Sequence, residues 1–321
     1  MTKRFNRFFE ICFFTLLIAL LTLLATGKFA YAVEDGLKLW LAVIVPSLFP
    51  YFFITVILSS LKITGKLSSR LTPITKRLFN VNGSVGYAYF LSVVSGYPVG
   101  AKTVADLYSG GVLNQTESVR AAALCSTSCP VFLIGSVGSV MFSSPIFGIK
   151  LFVVHVLASI LVGVIFSFYK RADKPNKTAS LSFDKKVDNI FYDGVYDSVI
   201  SVLVIGGIIT LFYLATQILI TFNILTPLIS LLTPVFGDLS SGVVFGLFEC
   251  TTGLKQIAGS SAFLSLPVCA LITGFGGISV IVQSTSALKK AKIKTAPFLF
   301  AKVLQAVISF GFGILAVTLF P

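Results

Sequence analysis

Apolar residues run through this chain in long blocks, and four of the blocks are interrupted near their middles by glycine, proline and hydroxyl-bearing residues. A bilayer-spanning helix needs about 20 apolar residues. Uninterrupted runs of that length occur at 8–32, 37–60, 146–169, 198–222 and 297–320. From Lys62 to Asn80, Leu67, Leu71, Ile74, Leu78 and Phe79 recur at helical spacing among Lys62, Lys66, Arg70, Lys76 and Arg77. That pattern predicts an amphipathic helix on the cytoplasmic surface. The block Gly83–Gly111 is split by SGYPVGAK at Ser95–Lys102, leaving arms too short to span, and predicts a re-entrant helical hairpin. Ser118–Phe142 has spanning length but breaks at Ser126–Pro130. Leu239–Gly259 breaks at Glu249–Lys255, and Phe263–Ser284 at Thr273–Gly277. Non-helical backbone at membrane depth persists only where protein buries it or it lines a cavity, so the four breaks mark a site.

The breaks form two matched pairs. Leu71-Thr72-Pro73 returns as Leu225-Thr226-Pro227, Gly100-x-Lys102 as Gly253-x-Lys255, and Lys150 as Lys302, at offsets of 154, 153 and 152 residues. Each repeat reads as span, surface helix, hairpin, broken span and span. Three crossings per repeat invert the second copy. The fold class is therefore an all-α polytopic membrane protein of two inverted repeats, each with a re-entrant hairpin and a broken transmembrane helix, after one extra N-terminal helix. The boundaries are an anchor at 1–32, repeats at 37–169 and 198–320, and a polar cytoplasmic linker at 170–197. Lys3, Arg4 and Arg7 before the first run, with Ala30-Tyr31-Ala32 at its end, also fit a cleavable signal peptide. An uncleaved anchor is preferred because the run is long enough to span. With the N-terminus cytoplasmic, the basic loops at Lys62–Arg77, Lys170–Lys186 and Lys289–Lys294 all fall inside, and the Lys/Arg-free stretch Asn223–Asp238 and the C-terminus fall outside.

Composition narrows the class. At 55% hydrophobic, 12% charged and a mean hydropathy of +0.95, the chain departs from soluble domains, of which about 25% is charged. The net charge of +13 sits in short loops rather than on one soluble face, so nucleic acid is not an expected partner and membrane lipid is. Cys12, Cys125, Cys129, Cys250 and Cys269 all lie in apolar segments and show no disulfide framework. Cys125 and Cys129 with Cys250 raise a soft-metal site, but packing is the better account and no metal is expected. His155, the single histidine, is assigned to helix packing, and Lys150 and Lys302 to snorkelling near helix ends. Neither a nucleophile–base pair nor a carboxylate cluster is legible, so an enzyme is not expected.

The candidate substrate-binding residues are those of the four breaks. Lys102 and Lys255 follow the hairpin breaks, where helix N-termini favour anions; they would contact an anionic solute, snorkel, or neutralise Asp106 or Glu249. Glu249 would carry a coupling proton, bind a cation such as Na+, or pair with Lys255. Ser95, Ser126, Thr127, Ser128, Thr251, Thr252 and Thr273 offer hydroxyls to a solute or a sodium ion, or bond their own backbone. Gly96, Gly100 and Gly276 shape the breaks, and Tyr97 would stack on an aromatic ring or pack the hairpin tip. Inverted repeats whose broken helices meet at mid-membrane describe a secondary transporter.

SGYPVGAK at Ser95–Lys102, CSTSCPVFLIGSVG at Cys125–Gly138 and GFGGISVIVQS at Gly274–Ser284 resemble the sporulation integral membrane protein YlbJ family, whose members carry nucleoside-recognition or gate domains. The order of elements also looks like that of concentrative nucleoside transporters. The resemblance implies a solute held between two opposed hairpins and two unwound helices, a trimeric homo-oligomer and an elevator movement. It also implies dipicolinic acid or a similar small aromatic carboxylate as the anionic substrate, moved during sporulation. A nucleoside transporter and a non-transporting protein of spore-envelope assembly are the alternatives.

Overall fold

In the computed structural model, residues 27, 29–60, 63–173, 175–176, 190–260 and 263–320 are described. The expected anchor lies outside them except at its end, where Ala30 already opens the next helix. Half of the linker at 170–197 lies outside them too.

Helix α1 (Ala30–Leu39) passes through a π-helical turn, π1 (Trp40–Ile44), into α2 (Val45–Ser60). Pro46 has no N–H to offer the Ala42 carbonyl, and the backbone widens in the turn before it. α3 (Ile63–Phe79) is the amphipathic helix. The hairpin follows as α4 (Ser84–Ser95) and α5 (Val99–Ser109), then the broken element α6 (Gln115–Leu124) and π2 (Val131–Met141), then α7 (Pro145–Phe166). The same order recurs as α8 (Ile190–Thr221), α9 (Thr226–Phe236), hairpin α10 (Ser240–Phe248) and α11 (Cys250–Ile257), broken helix α12 (Ser265–Phe275) and α13 (Gly277–Lys290), and α14 (Ala296–Leu319). Among the described residues, five segments are long and apolar enough to cross a membrane: Pro145–Phe166, Phe191–Thr221, Thr226–Phe248, Ser265–Lys290 and Ala296–Leu319. The molecule is an all-α multi-pass membrane protein.

α8 begins at Ile190, eight residues before the expected span, because the polar residues ahead of Ser198 favour no particular break and the helix continues through them. Its main partners are α1, π1 and α2, and it touches α10 and α13 as well. Trp40 donates Nε1–H to the Val202 carbonyl at 3.0 Å, its indole lies on Gly206, and Gly36 fits against Thr210.

Both ends of the first hairpin lie at one end of the molecule. Glu117 Oε1 accepts from Asn82 N at 2.9 Å, while Oε2 accepts from Asn114 N at 3.0 Å and Asn176 N at 3.1 Å. Asn114 in turn caps α6 through its side chain, completing a capping box. Arg120, only 1% exposed, clasps the loop after α7. It donates to the carbonyls of Tyr169 (twice), Lys170, Asp173 and Asn80 at 2.7–3.2 Å. Phe79, Val81, Leu113, Phe166, Leu288, Ile293 and Phe298 share one buried cluster there. The basic segments Lys76–Arg77, Lys170–Arg171 and Lys289–Lys294 therefore adjoin the same end. At the other end, Lys150 Nζ donates to the Phe320 carbonyl.

Candidate functional site

Each break has a local cause. α4 stops at Ser95 because Gly96 takes φ +76°, and Pro98, which lacks an N–H, precedes the first turn of α5. Gly100 then lets α5 press on the Cys125 carbonyl and Ser92, with no room for a Cβ. In the first broken helix, α6 ends at Leu124 and Cys125–Ser128 run without helical structure up to Pro130. This segment is fixed from three sides. Ser92 Oγ donates to the Cys125 carbonyl at 2.8 Å and lies 2.7 Å from Thr127 Oγ1. His155 Nε2 on α7 accepts from Ser128 N at 2.8 Å. Gln305 on α14 donates Nε2–H to the Ser126 carbonyl at 3.1 Å.

In the second half, Glu249 is the extended residue between α10 and α11 and caps its own helix. Its carboxylate accepts from Thr251 N at 3.0 Å, Thr252 N at 2.7 Å and Thr252 Oγ1 at 2.9 Å. Gly276, left-handed at φ +82°, separates α12 from α13. Thr273 Oγ1 bonds back to the Cys269 carbonyl at 2.9 Å.

Three of the four breaks, and the start of α13 just after the fourth, meet around a cavity of about 60 Å³, enough for a few water-sized bodies. One wall carries the polar groups and comes from the breaks and the helices beside them: Ser95, Gly96 and Tyr97; Ser128 and Cys129 with Phe132; Glu249, Cys250 and Thr251; and Ser279, Val280 and Gln283 of α13. The facing wall is apolar, with Ile44 from π1, Leu48 from α2, and Ile205 and Ile209 from α8. Tyr97 joins the halves. Its hydroxyl donates to the Thr273 carbonyl at 2.7 Å, and its ring lies between His155, at 6.3 Å and edge-on, and Lys302, whose Nζ is 5.1 Å from the ring centroid. Tyr97→Phe is expected to lower stability by about 1 kcal/mol, the net loss for one hydrogen bond with a carbonyl left unpaired. Thermal unfolding in detergent measures it, and an unchanged melting temperature would show that the bond contributes nothing.

Of the candidates named from the sequence, Ser95, Gly96, Tyr97, Ser128, Glu249 and Thr251 line the cavity. Gly100, Ser126, Thr127, Thr252, Thr273 and Gly276 stand behind that lining as supports. Lys102 and Lys255 are exposed and are not brought together at the cavity. Glu249 and Lys255 do not pair: six helical residues apart, they face different sides, and the carboxylate is 2% exposed and met by the α11 N-terminus. Lys302 does not snorkel. It is fully buried on α14 and donates to Gln305 Oε1 at 2.9 Å. His155 does more than pack, since it holds the first break open. Lys302 with Gln305, spaced i, i+3 on an otherwise apolar helix, was the signal available for the former; His155 offered none.

Among curated proteins, the sporulation integral membrane protein YlbJ of Bacillus subtilis (strain 168) is 28% identical over 304 residues, covering 86% of this chain and 74% of that protein. The similarity supports a YlbJ-like family assignment. No family model matches the chain, and no solved structure matches it. The YlbJ-like motifs Ser95–Lys102, Cys125–Gly138 and Gly274–Ser284 are the segments that build three of the four breaks.

Proposed function

We propose that this YlbJ-like protein is a secondary transporter that moves a small anionic solute by alternating access, with the two halves acting as inverted repeats. The observation that carries the reading is the meeting of both hairpin tips, the break of the first broken helix and the start of α13 at one cavity; isolated packing defects would have no reason to converge. The gathering of basic segments at one end supports a cytoplasmic N-terminus and an extracytoplasmic C-terminus. The relative's name places it in sporulation, and with the family resemblance this supports dipicolinate or a similar aromatic carboxylate as solute. A coupling Na+ or proton and a trimeric assembly belong to the same proposal.

Thermal unfolding of the purified protein against dipicolinate, other small acids and nucleosides tests it. A ligand that binds only the folded state adds about 2.7 kcal/mol at 100 times its dissociation constant. Stabilisation by dipicolinate, followed by its uptake into proteoliposomes, is the expected result. Stabilisation by nucleosides alone would replace the substrate, and no shift with any solute would favour a role in envelope assembly without transport.

A further inference from the structure

Three features of the second half lie together beside the cavity. The first is the start of α13: Gly276 and Gly277 turn the chain at φ +82° and +76°, and the N–H groups of the turn they open have no carbonyl one turn earlier in the helix. The second is Ser279 itself. It lines the cavity, is 1% exposed, and its Oγ has no hydrogen-bond partner among the described residues. The third is Lys302, which reaches this turn from α14: a Cβ built on Gly276 would lie 3.8 Å from Lys302 Cε. The ammonium bonds the neutral Gln305, faces the Tyr97 ring, and forms no ion pair with a carboxylate among the described residues. A cation buried without a counter-charge is costly to the fold, and an arriving anion relieves that cost.

We infer that the first turn of α13 and Lys302 form the anion subsite of the cavity, where a carboxylate of the transported solute is held. Ser279 Oγ and the N–H groups of this first turn donate to it, and Lys302 supplies the positive charge beside them. His155 on α7 and Cys250 on α11 are the other ionisable groups near this ammonium, together with Tyr97 on the first hairpin. Glu249 bounds the cavity from the second hairpin, its carboxylate satisfied by the α11 N-terminus, and it repels a carboxylate from that side. The solute is thereby oriented with its acid group toward α13. The inference rests on the transport reading and names the residues that would give it anion selectivity, in place of the exposed Lys102 and Lys255.

The test uses the full-length protein with dipicolinate as probe, its uncharged diamide as control, and the variants Lys302→Met, Ser279→Ala and Lys102→Met. Ligand-free melting and ligand affinity are both measured. Lys302→Met is expected to melt at or above the wild type, because an uncompensated buried charge is gone, while dipicolinate affinity falls about tenfold or more. Ser279→Ala is expected to weaken binding several-fold and Lys102→Met to leave it unchanged, with the diamide discriminating none of the three. Lys302→Met binding dipicolinate like the wild type would overturn the inference while leaving the transporter intact. So would a Lys302→Met protein that melts far below the wild type, if Ser279→Ala binds normally, since Lys302 would then be structural. Wild-type protein that binds uridine and no carboxylate would instead remove the anionic substrate, and the subsite with it.

Discussion

Arg120→Ala is expected to lower stability by about 3–5 kcal/mol, the loss typical of breaking a buried charged network. The guanidinium makes five hydrogen bonds to four backbone carbonyls at the end where the first hairpin, α6 and the loop after α7 meet. Removing it leaves the carbonyls of Tyr169, Lys170, Asp173 and Asn80 without that donor and opens a hole where the guanidinium itself is buried. Arg120→Lys keeps the charge but cannot fork to several carbonyls, so it recovers only part of the loss. Chemical unfolding in detergent gives the energy. Limited proteolysis in the 170–176 loop gives its location, since the clasp is what fastens that loop. A melting temperature within a degree of the wild type would show that the clasp does not hold the loop.

Gly253→Ala is the second large effect, about 3 kcal/mol and accompanied by loss of ligand binding. A Cβ at Gly253 would fall on the backbone of Gly246 and 2.7 Å from the Gly242 carbonyl oxygen. Gly246 in turn lies against the Ile272 side chain, where its own Cβ would have only 2.7 Å. No flexible side-chain end is present to yield, so α10 and α11 must separate, and with them Glu249, Cys250 and Thr251 in the cavity wall. Gly207→Ala is the control: nothing lies within 4 Å of its Cβ, and alanine in a helix interior is favoured over glycine by up to about 1 kcal/mol. Equal melting of the Gly253→Ala and Gly207→Ala proteins would show that the hairpin tolerates separation.

The breaks were legible in the sequence because they are written in residues whose local physics is strong. Gly96, Pro98, Pro130 and Gly276 end helices by conformational restriction or freedom wherever they stand. The depth and facing of individual side chains were not legible. Lys102, Lys255 and Lys302 look alike as cations in apolar surroundings, and only the rotation of each helix decides that the first two are exposed while the third is sealed beneath Tyr97. Glu117 and Arg120 were equally hidden. One stands in the polar stretch Asn114–Glu117 and the other at the start of an apolar run, and apart from the local cap at Asn114 their partners lie 35–59 residues away in sequence. Long-range pairing of that kind leaves no mark on local periodicity.

The two walls of the cavity differ in what happens when one slides past the other. Ile44, Leu48, Ile205 and Ile209 belong to helices fastened to each other through Trp40 and Val202, and these side chains carry no hydrogen-bonding group. The opposite wall is a block of breaks whose hydrogen bonds are nearly all internal to it. A shift of that block along the aliphatic face would exchange one set of dispersion contacts for another and rupture few directional bonds. On the transport reading the seam would serve as a bearing, low in friction because its aliphatic side is chemically featureless, with Glu249 on the wall opposite it.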